Sequence, residues 1–309
     1  MTMTVQPDLH TQGFDPKVTA HFHASAELYK LWSPEGHLHF GYWRWPMNPF
    51  RRRQMLEELV HHVVRELDPK PNKRLADFGC GYGSAARLVA EAYRTHVDAF
   101  TVVKEQVLEG EAAALADGTA DRVTMKLRDF RDTGLPDASV DGLYALESLC
   151  YGSGPDKSDV LAEAARILKP GARLATADGF VVKQVGGLRK NVVDTVASGW
   201  ALPCFSDLNS FTAALEANGF SDVHVEDLSW KMGPCALHGL PLLAYVLAKR
   251  WLSGIGMEPL EKAHLRSCAL GILLGTQHNL FRYCMVVGTR DSRSGTSARV
   301  AHSQLASGR

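Results

Sequence analysis

Apolar positions along this chain keep two rhythms, and the change from one to the other divides it. Between Pro49 and Leu67, Met55, Leu56, Leu59, Val63 and Val64 recur at helical spacing and predict an amphipathic helix. From Lys73 onward, short apolar runs alternate with helical stretches. Leu75–Asp77, Val97–Val102, Val123–Leu127, Val140–Ala145 and Ala172–Ala177 read as strands. Ala85–Ala92, Glu105–Ala116 and Lys157–Leu168 read as the helices between them. Such alternation predicts parallel βαβ units in a doubly wound sheet, with ligands at the carboxyl ends of the strands. After Val182 the rhythm breaks. Gly199–Pro203 is a loop, Ser206–Asn218 a helix with Ser206 as its N-cap, Val223–Leu228 a sixth strand and Leu280–Gly288 a seventh. The stretch between the last two strands, 230–278, is too long for a hairpin loop and reads as a helical insertion, which in a compact domain points to function.

The ends differ from this middle. Residues 1 to about 15 are polar and turn-rich, and the Ser/Arg/Gly-rich tail 291–309 has the composition of a disordered segment. His21 to Trp45 is dense in aromatics and histidines, including His37-Leu38-His39-Phe40-Gly41-Tyr42-Trp43. One by one these are ordinary core residues; as a group they suit a cap or lid. The expected organisation is a cap at 1–72, a ligand-binding core at 73–229, a substrate-selecting insertion at 230–278, a last core strand at 279–290 and the tail.

Composition narrows the class. The 309 residues are 45% apolar and 22% charged, as in a globular protein with a sizeable core. Lys+Arg and Asp+Glu balance at 34 each, which gives no electrostatic reason to expect nucleic acid. Arg51-Arg52-Arg53 is short enough to be a solvated helix start. The six cysteines are scattered without a C-x-x-C pair, so they read as reduced thiols and not as a metal site. No basic-then-apolar leader and no membrane-length apolar run is present, so the expected place is cytoplasmic, with no integral membrane segment.

The candidate chemistry centres on Asp77-Phe78-Gly79-Cys80-Gly81-Tyr82-Gly83, a strand ending in an acid and running through a glycine-rich turn into a helix. Gly79, Gly81 and Gly83 let backbone approach a ligand, and the helix start aims free N–H groups at it. A dinucleotide would want G-x-G-x-x-G and an acid about twenty residues on; the third glycine comes one position early, and Thr101 ends the second strand. Leu75–Gly83, Arg128-Asp129-Phe130, Leu135–Asp141 and Leu168–Leu174 occur in an order that resembles the class I S-adenosylmethionine (SAM)-dependent methyltransferases. The resemblance covers roughly 20–290. It implies an α/β fold with a Rossmann-like doubly wound seven-stranded sheet, an N-terminal helical and aromatic lid, and the helical insertion between strands six and seven. It implies SAM as cofactor, held by Asp77, Gly79, Gly81, Gly83, Thr101, Gln106, Asp129, Phe130 and Glu147.

Three segments are similar to a subgroup of small-molecule enzymes. His37–Trp43 is similar to tocopherol-type and cyclopropane-fatty-acid-synthase-type enzymes, Tyr144–Tyr151 resembles sterol and tocopherol C-methyltransferases, and Gly199–Pro203 resembles the tocopherol type. This implies a hydrophobic small-molecule acceptor and favours carbon methylation of an isoprenoid or alkene in secondary metabolism. Methylation at nitrogen or oxygen, and a SAM-binding cyclase or regulator without methyl transfer, are the alternatives. Glu147, past strand four, and His238 are the candidate catalytic groups; Tyr29, Trp32, Tyr151, Trp200 and Trp230 are candidates for the acceptor wall. No metal is expected, and a homo-oligomer is left open.

Overall fold

The computed structural model describes residues 14–254 and 256–292; most of the loose start expected at 1 to about 15 and of the tail expected at 291–309 lies outside them. The chain opens with α1 (Pro16–Trp32), which Asp15 caps by accepting from Lys17 N while Pro16 takes the first helical position. After a loop come α2 (Arg52–Arg65), β1 (Arg74–Phe78), α3 (Ser84–Tyr93), β2 (His96–Thr101), α4 (Lys104–Asp117), β3 (Val123–Leu127) and β4 (Val140–Leu146). Then follow α5 (Ser158–Ile167), β5 (Leu168–Val181), α6 (Gly187–Gly199), β6 (Ser206–Asp207), α7 (Leu208–Ala217) and β7 (Phe220–Asp227). Three helices, α8 (Ser229–Ala236), α9 (Gly239–Ser253) and α10 (Pro259–Gly275), precede β8 (Phe281–Arg290).

One sheet runs in the order β3-β2-β1-β4-β5-β8-β7, with the two-residue β6 pairing on β5. β1 to β5 pair with one another in parallel, whereas β8 is antiparallel to both β5 and β7. Alternate residues of each inner strand serve opposite faces. Leu75, Val97 and Ala99 pack with Val60, Val63 and Val89 on the α2–α3 side. Ala76, Phe78, Phe100 and Leu143 pack with Leu161, Phe211 and Leu215 on the α5–α7 side. Burial on both faces explains the continuous apolar runs of these strands, and each such Leu or Phe contributes roughly 1.5–3 kcal/mol. The chain reverses direction across the sheet between β1 and β4, and the crevice at their carboxyl ends is where α/β sheets bind ligands.

The expected fold holds, with local corrections. Ser206 is not the N-cap of α7: it pairs with Phe180 in β6, and Asp207 caps instead, its carboxylate accepting from Ser210 N at 2.9 Å. β6 makes an eighth strand, so the sixth and seventh expected strands are β7 and β8. The helix α6 had no counterpart in the sequence reading. The insertion between β7 and β8 is helical, and with α1 and α6 it stands over the carboxyl end of the sheet. Among the described residues no helix is long and apolar enough to cross a membrane.

Candidate functional site

The glycine turn after β1 is shaped by positive φ at Gly79 (+79°), Gly81 (+52°) and Gly83 (+70°). Gly79 N and Cys80 N both donate to Phe100 O, which ties the turn to β2. A Cβ on Gly79 would run into Ser148, and one on Gly81 would lie 2.8 Å from Leu38 Cδ1. At Gly83 it would meet Met125 Sδ at 2.7 Å, so that glycine serves packing of α3 against β3 and does not border the cavity. Asp77 is buried behind the turn. Its Oδ2 has no hydrogen-bond partner, and burial raises its carboxyl to about 7.

A cavity of about 650 Å³ opens from this turn toward the insertion. Gly79, Gly81, Thr101, Gln106, Asp129, Phe130 and Glu147 border one part of it. Thr101 Oγ1 donates to Gln106 Oε1 at 2.6 Å, which fixes both side chains. Phe130 stacks on Phe78, with ring centroids 5.5 Å apart and 12° between planes. Asp129 already accepts from Arg131 N and from the Arg131 guanidinium through both oxygens, at 2.6–3.0 Å. That pair was not foreseen from sequence, although the two residues are adjacent but one.

Glu147 stands between this part and the rest. It lies just beyond β4 with φ +51°, a left-handed conformation that a non-glycine residue keeps only where surroundings fix it. Its N donates to Ala177 O, and its Oε1 accepts from Phe40 N at 2.6 Å and from Tyr283 Oη at 2.8 Å. Burial raises its carboxyl to about 8, against the lowering effect of those two bonds. Phe40 is in turn steadied by His39, whose Nδ1 donates to Phe40 O at 2.6 Å, so that Nε2 accepts from His37 Nδ1 at 3.2 Å. Burial lowers both imidazoles, His39 to about 4 and His37 to about 2, and both are neutral. Asp178 on β5 completes the floor, accepting from Cys150 N and Gly179 N, with burial raising it to about 6.

The remaining wall is apolar and aromatic. Tyr29, Trp32, Tyr151, Trp200 and Trp230, the five expected wall residues, all border the cavity. Phe22 stacks on Tyr29, and Tyr151 Oη donates to Trp200 O at 3.0 Å. Gly271 leaves room for the Trp200 indole, which a Cβ there would meet at 2.7 Å. From the insertion come Leu242, Leu243 and Val246 of α9 and His264, Leu265 and Ile272 of α10. His264 is buried, its Nδ1 has no partner, and its ring lies 5.2 Å from both His21 and Tyr29. Burial lowers His264 to about 3.

His238 is not brought to this cavity. At the start of α9 its Nε2 donates to Pro49 O at 2.8 Å, which turns the ring toward the loop before α2. His264, Tyr283, Asp178 and Arg131 were not singled out from the sequence, and Phe40 only as a member of the aromatic lid segment. The one signal for His264 was its i,i+4 spacing with Cys268, whose thiol lies 3.4 Å from its Nε2. Among the described residues no group of three His, Cys, Asp or Glu is placed to hold a metal ion. The arrangement is a crevice with carboxyl groups and a stacking aromatic at one end, joined through Glu147 to a large apolar chamber.

The chain is similar to known proteins. A family profile described as a methyltransferase domain matches residues 75–171. The 27-O-demethylrifamycin SV methyltransferase of Amycolatopsis mediterranei is 31% identical over 202 residues, covering 65% of this chain and 72% of that protein. O-methyltransferase rstn1 of Aspergillus nomiae is 29% identical over 193 residues, 62% of this chain and 84% of that protein. Among solved structures, the [4+2]-cyclase SpnF superposes with a TM-score of 0.73 at 20% identity, covering 92% of this chain and 98% of that one, a likeness of fold.

Proposed function

The chain belongs to the class I SAM-dependent methyltransferases, and from that premise we propose that it methylates a hydroxyl oxygen on a bulky, uncharged, largely apolar small molecule. SAM, when bound, supplies an electrophilic methyl group on a positively charged sulfur. The residues at the crevice suit such a ligand. Gly79 and Gly81 keep the turn free of Cβ atoms, carboxyls from Asp129, Glu147 and Asp178 outnumber the single bordering Arg131, and behind the turn, off the cavity lining, Asp77 Oδ2 is an orphaned buried acceptor. Asp77 and the turn would hold the amino-acid part. Thr101 and Gln106 would face the ribose, and Asp129 and Phe130 the adenine. Residues 73–229 would thus carry the cofactor, with 1–72 as cap and 230–278 selecting the acceptor.

The observation that carries the acceptor class is the composition of the chamber. Among the described residues, Arg131 is the one Lys or Arg bordering the cavity, and Asp129 neutralises it bidentately. A phosphorylated or otherwise anionic acceptor would have no counter-charge there. Glu147 stands where the two parts meet and would take the hydroxyl proton as oxygen accepts its methyl group, while the unpartnered His264 Nδ1 would orient polar groups of the acceptor. The relatives named O-methyltransferases support oxygen as the target. Carbon methylation of an isoprenoid alkene is the second reading, favoured by the aromatic wall of Tyr29, Trp32, Tyr151 and Trp200, which would stabilise a cation.

Methyl-labelled SAM offered with hydroxylated macrocycles, polycyclic phenols, sterols, isoprenoid alkenes and prenyl diphosphates separates the readings. Methyl ethers from uncharged acceptors are expected. Label confined to new carbon–methyl bonds would favour the second reading, and turnover of prenyl diphosphates alone would refute the uncharged-acceptor argument. Labelled SAM that binds without turnover on any acceptor would mark a cyclase or regulator.

A further inference from the structure

The insertion forms a partition one helix thick. On its inner side α9 gives Leu242, Leu243 and Val246 to the cavity. On its outer side Leu240, Tyr245, Leu247, Trp251 and Leu252 stand in water, with Trp251 81% and Leu252 77% exposed. Trp230 on α8 is 79% exposed beside the same cavity. Apolar groups this concentrated on one face mark a surface that meets something.

We propose that the outer face of α9, with the adjoining ends of α8 and α10, docks on an anionic lipid surface. Charge supports this occupant. The chain as a whole is balanced, yet α9 contains no Asp or Glu. Across 229–275 the cations are Lys231, Lys249, Arg250, Lys262 and Arg266, against Glu258 and Glu261. Glu261 is buried and paired with Arg250 at 2.7 Å, so the exposed charge is mainly positive. Exposed Trp, Tyr and Leu with flanking lysines is the composition that lies in a membrane interface, with rings at the headgroup level and ammonium groups on anionic headgroups. A second copy fits less well, because self-pairing of this face would set Lys249 and its neighbours against each other. An acidic carrier protein would meet the lysines but would leave Trp251 and Leu252 without an apolar partner.

On such a surface an apolar acceptor would reach the chamber past a single helix without crossing water. This delivery step rests on reading the chamber as the acceptor site; the docking itself does not. The test is co-sedimentation with vesicles of phosphatidylglycerol and phosphatidylcholine in equal parts, and with phosphatidylcholine alone. It uses the wild type, the double variant Trp251→Glu/Leu252→Glu, and Leu115→Glu as a control on α4. All three should keep SAM affinity by calorimetry, since these side chains are exposed. Wild type and control are expected to sediment with the anionic vesicles, less so as salt is raised, and the double variant to bind at least about tenfold more weakly. The proposal is overturned if wild type stays in the supernatant, if the double variant sediments like wild type, or if phosphatidylcholine alone binds it equally well. Light scattering that finds a wild-type dimer and a monomeric double variant would also overturn it, in favour of self-association. No methyl acceptor enters this assay, so its failure is distinct from failure of the proposed reaction.

Discussion

Replacing Glu147 by Gln gives a test whose size follows from the geometry. The wild-type carboxyl is raised from its ordinary 4.5 to about 8 by burial. Below about pH 4.5 it is protonated in folded and unfolded chains alike and has no effect on stability. As pH rises from there toward 8, the unfolded chain sheds the proton that the folded chain keeps, so stability falls; above about 8 both states are ionised and the fall ends. At pH 7 the loss is at most roughly 3 kcal/mol. Part of the carboxyl faces the cavity, where water reaches it, and this brings the figure to about 2 kcal/mol. Gln keeps an oxygen for Phe40 N and Tyr283 Oη but carries no proton to lose. Urea unfolding of the SAM-free protein at several pH values should find the two proteins equally stable near about pH 4 and the variant ahead by about 2 kcal/mol near about pH 7. Asp77, raised to about 7, tilts both curves in the same sense and cancels in the difference, whereas the charge of Asp178 itself raises Glu147 and so belongs to the difference. Parallel curves, or a variant less stable throughout, would refute the burial argument. Turnover of the same variant should drop by about a hundredfold with SAM affinity within a few fold, the signature of a lost proton acceptor.

Other substitutions probe the rest of the site. Gly79→Ala places a Cβ against Ser148 at a positive φ; it should destabilise the fold by about 2–4 kcal/mol and abolish SAM binding, read by thermal unfolding and calorimetry. Lys157→Met removes a fully buried ammonium that donates to Cys150 O, Gly152 O and Cys204 O at 2.9–3.0 Å; orphaning three carbonyls should cost about 3–5 kcal/mol in urea unfolding. Trp200→Ala should leave SAM affinity unchanged and admit bulkier acceptors, measured as a shift in relative kcat/KM across the acceptor panel.

The parts legible in the sequence are those fixed by neighbours along the chain. Five parallel strands announced themselves by their apolar runs, β1, β2 and β4 because both faces are buried, and the turn from Asp77 to Gly83 because positive φ demands glycine in a short span. Helix α6 did not: only Val196, Ala197 and Gly199 are buried, and it starts at the Gly186-Gly187 pair, which reads as a turn. The shift of the α7 cap from Ser206 to Asp207 depends on pairing with Phe180, a contact across the fold. The partners of Glu147 were equally hidden. Phe40 is 107 residues before it and Tyr283 is 136 after it, and no local pattern joins them. His238 attracted attention as a histidine in the insertion, while the histidine at the wall, His264, looked like one more helical residue.

The place of β8 in the sheet bears on how the molecule is made. It lies between β5 and β7, and among the described residues β7 pairs with no other strand, so β7 has no seat until β8 arrives. A ribosome delivers residues 74–181 long before 281–290, and the five parallel strands have their mutual partners by then. Tyr283 comes with β8, so Glu147 receives its hydroxyl donor from the last strand among the described residues. Nascent chains halted before β8 should therefore hold a parallel core with an open edge at β5, exposed to chaperones, while the crevice stays unfinished until β8 emerges.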